Sequence, residues 1–342
     1  MPALTSSQWK LAVCLVAVLM ATLAGAVATL PPILDQPVRA PPARVVKPLA
    51  ELAARMERHV NIIASDERNT RTPAQLERAA SYIEASLAAE HYSVQRQQYS
   101  WDGHQVRNIE VSISNLAPGK QPERIFIVGA HYDSVPGAPG ADDNGSGTAA
   151  VIELARLLKG MRLATGTELK FVFFVNEEPP YFMTEGMGSW RHARDLRERG
   201  QKVEAALILE TIGYYSDKKN SQRYPPGLAR FYPNAGNFIA FVGTLESAAL
   251  VRQALAAFRA SATFPAEGLA APAFVEGVTL SDHSSYKRFG YPALMITDTA
   301  FLRYPYYHTA QDTPDKLDYT SMARVVAGLA KAIEAMTGAK ST

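Results

Sequence analysis

The stretch IFIVGAHYDSVPGAPGADDNGSGTAAVIELARLL, residues 125–158, passes from an apolar strand pattern through a Gly- and Pro-rich loop into an apolar helix pattern. The loop carries His131, Asp133, Asp142 and Asp143 within thirteen residues. Three carboxylates and an imidazole this close together are unfavourable when buried unless a positive charge joins them. The stretch therefore predicts a strand–loop–helix unit whose loop faces a cation.

Strand and helix patterns alternate along the rest of the chain. Short, nearly continuous apolar runs are typical of strands buried on both faces, and they occur in RIFIVGA, LKFVFFV, AALILE, NFIAFVG and PALMIT. Helix patterns lie at residues 49–65, 73–90, 147–160, 188–200 and 245–260, and half-buried strand patterns lie at 92–101 and 107–115. This alternation predicts an α/β fold in which helices cover both faces of one sheet.

Composition limits the classes of function. The chain has 342 residues, 47% of them hydrophobic, and a formal net charge of +2. Its size suits a single folded domain, which we predict over residues 49–340. The small net charge and the absence of a basic stripe argue against a nucleic-acid partner.

The first thirty residues differ from the rest because Lys10 is their only charge. Residues 11–30 predict either a signal peptide or an uncleaved membrane anchor, since twenty apolar residues can span a bilayer. The Pro-rich residues 31–48 predict a linker. We therefore expect an exported protein, periplasmic or extracellular, with membrane tethering as the alternative. The only cysteine, Cys14, lies in this leader, so the exported domain would have no disulfide.

Further acidic and imidazole residues stand where predicted strands end. Glu177 and Glu178 follow LKFVFFVN, Glu210 ends AALILE, and His308 lies beyond PALMIT. Functional groups of α/β sheets collect at such strand ends. A histidine together with carboxylates is a suitable ligand set for a Zn²⁺ ion that keeps one coordination position open. Two such ligand sets that share a carboxylate suit a pair of metal ions.

A calcium loop is a competing interpretation of the same residues. Asp142, Asn144, Ser146 and Glu153 match most of the ligand spacing of a helix–loop–helix calcium motif. That motif needs a helix before the loop, whereas the Pro- and Gly-rich residues 134–140 precede it here. The context therefore favours zinc over calcium.

Five segments together resemble the di-zinc aminopeptidase family of metallopeptidases, whose relatives include glutamate carboxypeptidases and glutaminyl cyclases. They are HYDSVPGAPGADDNGSG, NEE, LETIGYY, SDHSSYKRFGYPALMITD and YYHTAQDTPDKLD, and they occur in the order of the family. The resemblance implies a mixed, mostly parallel central sheet with helices on both faces, arranged as a three-layer sandwich. It also implies two zinc ions and a peptide or small-protein substrate.

The resemblance assigns a role to each matching residue. It implies as metal ligands His131, Asp143, Glu178, Glu210 and His308. Asp143 would be shared by both ions, and Glu177 would be the general base for a metal-activated bridging water. Asp133 would accept a hydrogen bond from the far nitrogen of His131.

Two further residues, Tyr307 and Asp142, each have two possible roles. Tyr307 would donate a hydrogen bond to the oxyanion or would only pack. Asp142 would support the ligands from behind or would only shape the loop.

The sequence departs from the family pattern at two places. Glu210 stands where the family usually has Asp, so the reach of this ligand differs by one methylene. The segment EEPPYFMTEGMGS carries a few inserted residues, which Pro179 and Pro180 stiffen and which we expect to line the substrate cleft.

The resemblance favours a zinc-dependent exopeptidase, and among exopeptidases an aminopeptidase that releases N-terminal residues. A glutaminyl cyclase-like aminoacyltransferase and a non-enzymatic metal-binding homologue are the alternatives. A complete ligand set for two ions counts against both.

Overall fold

The computed structural model describes residues 47–338. Its strands are β1 (Gln95–Trp101), β2 (His104–Asn115), β3 (Arg124–His131), β4 (Thr167–Phe174), β5 (Val203–Glu210), β6 (Ile239–Thr244), β7 (Ala266–Ala271) and β8 (Ala293–Thr297). They form one eight-stranded sheet in the order β1-β2-β4-β3-β5-β8-β6-β7. The pairs β4–β3, β3–β5, β5–β8 and β6–β7 are parallel, and the other three are antiparallel. The predicted mixed, mostly parallel sheet is confirmed.

Helices cover both faces of this sheet. They are α1 (Lys47–Ile63), α2 (Pro73–Ala89), α3 (Gly147–Leu158), α4 (Gly188–Glu198), α5 (Ala248–Ser261), α6 (His283–Arg288) and α7 (Tyr319–Thr337). The core on one face takes side chains from α1, α2, α3, α5 and α7, and the core on the other takes them from α4 and α6.

Strand β3 is apolar between its terminal residues, Arg124 and His131, because both of its faces are buried. Phe126 and Val128 face the first core, whereas Ile125 and Ile127 face the second. A strand between two helix layers buries both of its faces, so polar residues are excluded from its middle. The predicted three-layer arrangement is confirmed.

The predicted domain limits are only partly covered by the described residues. Helix α1 begins at Lys47, so the last two residues of the predicted linker, 31–48, are helical. The predicted leader, residues 1–30, lies outside the described residues, as does most of the linker, and export and anchoring stay predictions. No helix between residues 47 and 338 combines the length and the apolar character needed to cross a membrane.

Candidate metal centre

The carboxyl ends of parallel strands bring the predicted site residues together at one edge of the sheet. His131 and Glu210 are the last residues of β3 and β5, and Glu177 and Glu178 follow β4. Asp143 lies in the turn between β3 and α3. These strands are parallel neighbours, so their carboxyl ends meet at the same edge.

His131, Asp143 and Glu210 form the first of two ligand groups. His131 Nε2 lies 3.2 Å from Asp143 Oδ1 and 3.3 Å from Glu210 Oε2. All three side chains are buried.

Asp143, Glu178 and His308 form the second group. His308 Nε2 lies 3.0 Å from Asp143 Oδ2 and 3.4 Å from Glu178 Oε2. Asp143 therefore presents one oxygen to each group. The side chain of His308 is 33% exposed, so this group opens to solvent.

The longer side chain at position 210 is accommodated by its neighbours. Ser281 Oγ donates a 2.7 Å hydrogen bond to Glu210 Oε2, and Asn144 Nδ2 donates a longer one of 3.5 Å to the same oxygen. These donors and His131 fix the carboxylate beside Asp143, so the extra methylene does not remove Glu210 from the group.

The electrostatics of the cluster fit a bound cation. Burial and nearby carboxylates raise the pKa of Glu178 well above its usual value. Burial would also raise the pKa of Asp143, but the adjacent imidazoles of His131 and His308 hold it below normal. His131 Nε2 and Glu178 Oε1 are buried without a hydrogen-bond partner among the described residues. Imidazole nitrogens and carboxylate oxygens with unused lone pairs are a donor set that suits zinc.

Glu177 lies beside the two groups and belongs to neither. Its Oε2 is 3.8 Å from His131 Nε2, and the residue is only 7% exposed. Burial raises the pKa of Glu177 well above its usual value, and the carboxylates of Glu210, Asp282 and Glu178 act in the same direction against the opposing effect of His131. A buried carboxylate that makes no ligand contact is suited to proton transfer.

Asp133 orients the glutamate pair more than it orients His131. Its Oδ1 and Oδ2 accept hydrogen bonds from the backbone N–H groups of Glu177 and Glu178, each at 3.2 Å. His131 Nδ1 is 3.2 Å from the backbone carbonyl of Asp133 and 3.5 Å from its Oδ1. The carbonyl is therefore the nearer acceptor for the far nitrogen of His131.

Asp142 and Asp312 hold the loop rather than entering a ligand group. Asp142 Oδ1 accepts a 2.8 Å hydrogen bond from the backbone N–H of Gly213. Asp312 accepts from the backbone N–H groups of Asp142 and Asp143 at 2.8 and 3.1 Å, and from the Tyr304 hydroxyl at 2.8 Å. Asp312 is not among the predicted site residues, although it lies within the segment YYHTAQDTPDKLD.

Arg68 is a second supporting residue that is not among the predicted site residues. Its buried guanidinium donates hydrogen bonds to the backbone carbonyls of Tyr132 at 2.6 Å and Gly140 at 2.9 Å, and also to that of Pro139. Arg68 thereby fastens the loop that carries Asp133 and Asp143. None of the resemblance segments includes it, so no motif indicates this role.

The calcium interpretation is wrong. Glu153, which would close the calcium loop, makes ion pairs with Arg55 and Arg156 at 2.9 and 2.8 Å. Asn144 Oδ1 accepts from the backbone N–H of Gly147, and Ser146 Oγ donates to the carbonyl of Asp142. These side chains stabilise the turn and its neighbours, and a strand rather than a helix precedes it.

Tyr307 lies between the ligand groups and a neighbouring pocket. Its ring stacks on His308 with 3.9 Å between centroids, and the residue lines the pocket together with Glu210. Burial, followed by the nearby carboxylates, raises the pKa of Tyr307 far above normal, so its hydroxyl is protonated. Residues 179–187, which include the few inserted residues of EEPPYFMTEGMGS, do not line this pocket. Tyr181 in that segment instead shares a hydrogen bond with Thr70.

A three-layer α/β fold with two adjoining carboxylate–imidazole groups at the sheet edge is characteristic of a metallopeptidase. The chain belongs to peptidase family M28, whose family model matches residues 112–333. It is similar to the uncharacterized protein YfbL of Escherichia coli strain K12, with 40% identity over 74% of this chain and 78% of that protein. It is also 30% identical to a probable leucine aminopeptidase 1 of Trichophyton verrucosum, over 64% of this chain. The chain spans 56% of the length of that fungal relative.

Solved structures support the fold assignment. An aminopeptidase from Aneurinibacillus sp. strain AM-1 superposes with a TM-score of 0.62 at 17% identity, covering 84% of this chain and 94% of that one. A glutaminyl cyclase from Fimbriiglobus ruber gives 0.61 at 20% identity, covering 86% and 99%. Because the two scores are so close, fold similarity does not separate these activities.

Proposed function

We propose that this chain is a zinc-dependent aminopeptidase, which releases residues from the N terminus of peptides. The observation that carries the proposal is the pair of ligand groups sharing Asp143, with the carboxylate of Glu177 beside them and in neither. The sequence similarity to leucine aminopeptidases supports the choice of an aminopeptidase among exopeptidases.

The two ligand groups contain the residues that would hold two zinc ions. His131, Asp143 and Glu210 would bind one ion, and Asp143, Glu178 and His308 would bind the other. Zinc bound in such a pair lowers the pKa of water and polarises a carbonyl oxygen.

Glu177 supplies the proton transfer in this proposal. Its carboxylate accepts a proton from the attacking water and delivers it to the nitrogen of the leaving amine as the peptide C–N bond breaks. Asp133 holds the Glu177 backbone through a 3.2 Å hydrogen bond, so the carboxylate keeps its position. The protonated hydroxyl of Tyr307 donates a hydrogen bond to the carbonyl oxygen of the scissile peptide bond, on which negative charge develops as water attacks.

The variant Glu177→Gln tests the assigned base. We expect it to keep the zinc content of the wild-type protein by elemental analysis and to lose about 10²–10⁴-fold in peptide hydrolysis. Glu185→Gln is the matched control, because its side chain is 59% exposed, and it should keep full activity. His308→Ala should lose zinc. A fully active Glu177→Gln protein would contradict the mechanism.

A peptide that begins with glutamine separates hydrolysis from cyclisation. We expect two products whose combined mass is that of the peptide plus one water molecule. An uncleaved peptide that has lost ammonia would indicate a cyclase instead. A zinc-loaded protein that leaves a range of N-terminal residues untouched would indicate a non-enzymatic homologue.

A further inference from the structure

The pocket beside the ligand groups extends across several neighbouring strands of the sheet. Glu210 and Tyr307 line the end next to the site, and Glu267 lines the pocket from strand β7. The strands β8, β6 and β7 lie side by side beneath it. The pocket therefore leads from the ligand groups toward the edge of the sheet.

Strand register shows the distance that this pocket spans. Glu210 pairs with Thr297, Thr297 with Ala240, and Ala240 with Glu267, so the four residues form one row across β5, β8, β6 and β7. Three strand spacings of about 4.8 Å separate the backbones of Glu210 and Glu267 by roughly 14 Å. Ala240 is small, which leaves the floor of the pocket open between Thr297 and Glu267.

The walls of the pocket are mostly apolar. The next row of the floor consists of Met295, Val242 and Leu269, and Phe238 and Val278 also line the space. Such walls favour a hydrocarbon chain over a polar one, because burial of apolar surface is the main driving force.

The charged side chains that line the pocket in the described part of the chain are all negative. Among the described residues that line it, three are glutamates (Glu210, Glu267 and Glu276) and none is Lys, Arg or His. Glu267 is held from outside the pocket by Arg259, whose Nη2 is 3.4 Å from its Oε2. The same guanidinium also donates to the carbonyl of Ala266, so it satisfies Glu267 only in part. Burial raises the pKa of Glu267, as expected for a carboxylate with too little positive charge nearby.

We infer that the pocket takes an N-terminal side chain with an apolar stem and a cationic end, and that Glu267 selects Lys or Arg at this position. An extended Lys or Arg side chain is roughly 6–7 Å long. With a charge-assisted hydrogen bond of about 2.8 Å, it reaches roughly 9–10 Å, or about two of the three strand spacings, which brings its cationic end near the carboxylate of Glu267. The inference rests on the proposed aminopeptidase activity and adds its substrate preference.

Matched substrates test the inference on the wild-type protein without any mutation. Arginine and citrulline differ mainly in charge, and lysine and norleucine share the same stem. We expect kcat/KM for N-terminal arginine to exceed that for citrulline by at least about tenfold, and the same for lysine over norleucine. Ratios near one would overturn the inference.

The variant Glu267→Gln assigns the preference to one residue. It should reduce the lysine-to-norleucine ratio to about one through loss of the lysine rate, with norleucine hydrolysis changed by less than about twofold. Glu246→Gln is the control, because this carboxylate is 74% exposed and does not line the pocket, and the ratio should stay within about threefold of wild type. An unchanged ratio in Glu267→Gln, or an equal loss of the ratio in Glu246→Gln, would overturn the role of Glu267.

An N-terminal leucine substrate separates this inference from the proposed function. If leucine is released but lysine and arginine are not preferred, the pocket assignment is wrong and the aminopeptidase stands. If no N-terminal residue is released, the aminopeptidase assignment fails and the pocket assignment fails with it.

Discussion

Neighbouring residues of the candidate site differ in task because their surroundings differ. Glu178 reaches the group of Asp143 and His308, whereas Glu177 stays outside both groups. Asp133 fixes the two backbones through one hydrogen bond each. Two side chains of the same type can therefore serve separately as ligand and as base, since a bent backbone directs them differently.

Arg68 is expected to control the position of the ligand loop. Burial lowers the pKa of Arg68 to about 10, against the opposing effect of nearby carboxylates, so it stays charged at neutral pH. Arg68→Met would remove the guanidinium donor from the backbone carbonyls of Tyr132, Pro139 and Gly140. We expect it to reduce the free energy of unfolding by about 3–5 kcal/mol in urea titrations, because charged hydrogen bonds in the interior are costly to break.

Arg71→Met is the matched control for this measurement. Arg71 is exposed and lies three residues further along the same connection between α1 and α2. Its replacement should change the free energy of unfolding by less than about 0.5 kcal/mol. Equal urea midpoints for Arg68→Met and Arg71→Met would refute a structural role for Arg68.

Helices α1 and α3 are joined through the buried carboxylate of Glu153. Arg55 and His59 on α1 contact this group at 2.9 and 3.0 Å, and Arg156 contacts it from α3 at 2.8 Å. Burial alone would raise the pKa of Glu153, but hydrogen bonds from His59 and Arg156 and the charge of Arg55 hold it at about 2.

Acid should weaken this connection between the helices. The pKa of Glu153 is lower in the folded state than its ordinary 4.5, so its contribution is complete above pH 4.5 and is lost as the pH falls toward 2. The contribution is about 3 kcal/mol. Glu153→Gln should therefore be less stable than wild type at pH 7, and the difference in unfolding free energy should shrink below pH 4.5.

Glu57→Gln provides the comparison for this pH dependence, since Glu57 is an exposed glutamate of α1. Its unfolding free energy should follow that of the wild type at every pH. A stability deficit of Glu153→Gln that stays constant from pH 7 to pH 2.5 would refute the ionic connection.

Elements with strong local patterns are predicted by the sequence, and elements defined by their context are not. The unit β3–turn–α3 is predicted because its apolar runs and its loop residues agree. Strand β7 has the sequence AEGLAA, whose Ala and Gly residues favour no strand, and it forms by pairing with β6. Helix α7 is absent from the prediction although its buried residues recur at three- and four-residue steps.

Contacts between distant residues limit the prediction of the candidate site in the same way. Glu177, Glu178 and Glu210 are predicted because each stands at a strand end. Arg68 contacts a carbonyl 64 residues away, and Asp312 accepts from a backbone 170 residues away. No local pattern marks such partners, since they depend on how the whole chain folds.

The topology of the whole molecule concentrates buried negative charge at one edge of the sheet. Four glutamate and aspartate side chains of the candidate site are buried there, namely Asp143, Glu177, Glu178 and Glu210, with His131 and the partly exposed His308 beside them. Their mutual repulsion opposes folding in the absence of a counter-charge. Metal binding should therefore stabilise the entire fold, because the ligands come from several separate elements.

Removal of the metal tests this coupling. We expect a chelator to lower the melting temperature and abolish hydrolysis, and added zinc to restore both. At free zinc about a thousandfold above the dissociation constant, binding to the folded state alone contributes about 4 kcal/mol. In the proposed two-zinc state, the ion at the group that includes His308 should leave first, because the His308 side chain is exposed to solvent. Glu177→Gln should keep the full zinc-dependent stabilisation, whereas His308→Ala should lose part of it. Identical melting curves with chelator and with zinc would show that these residues hold no metal.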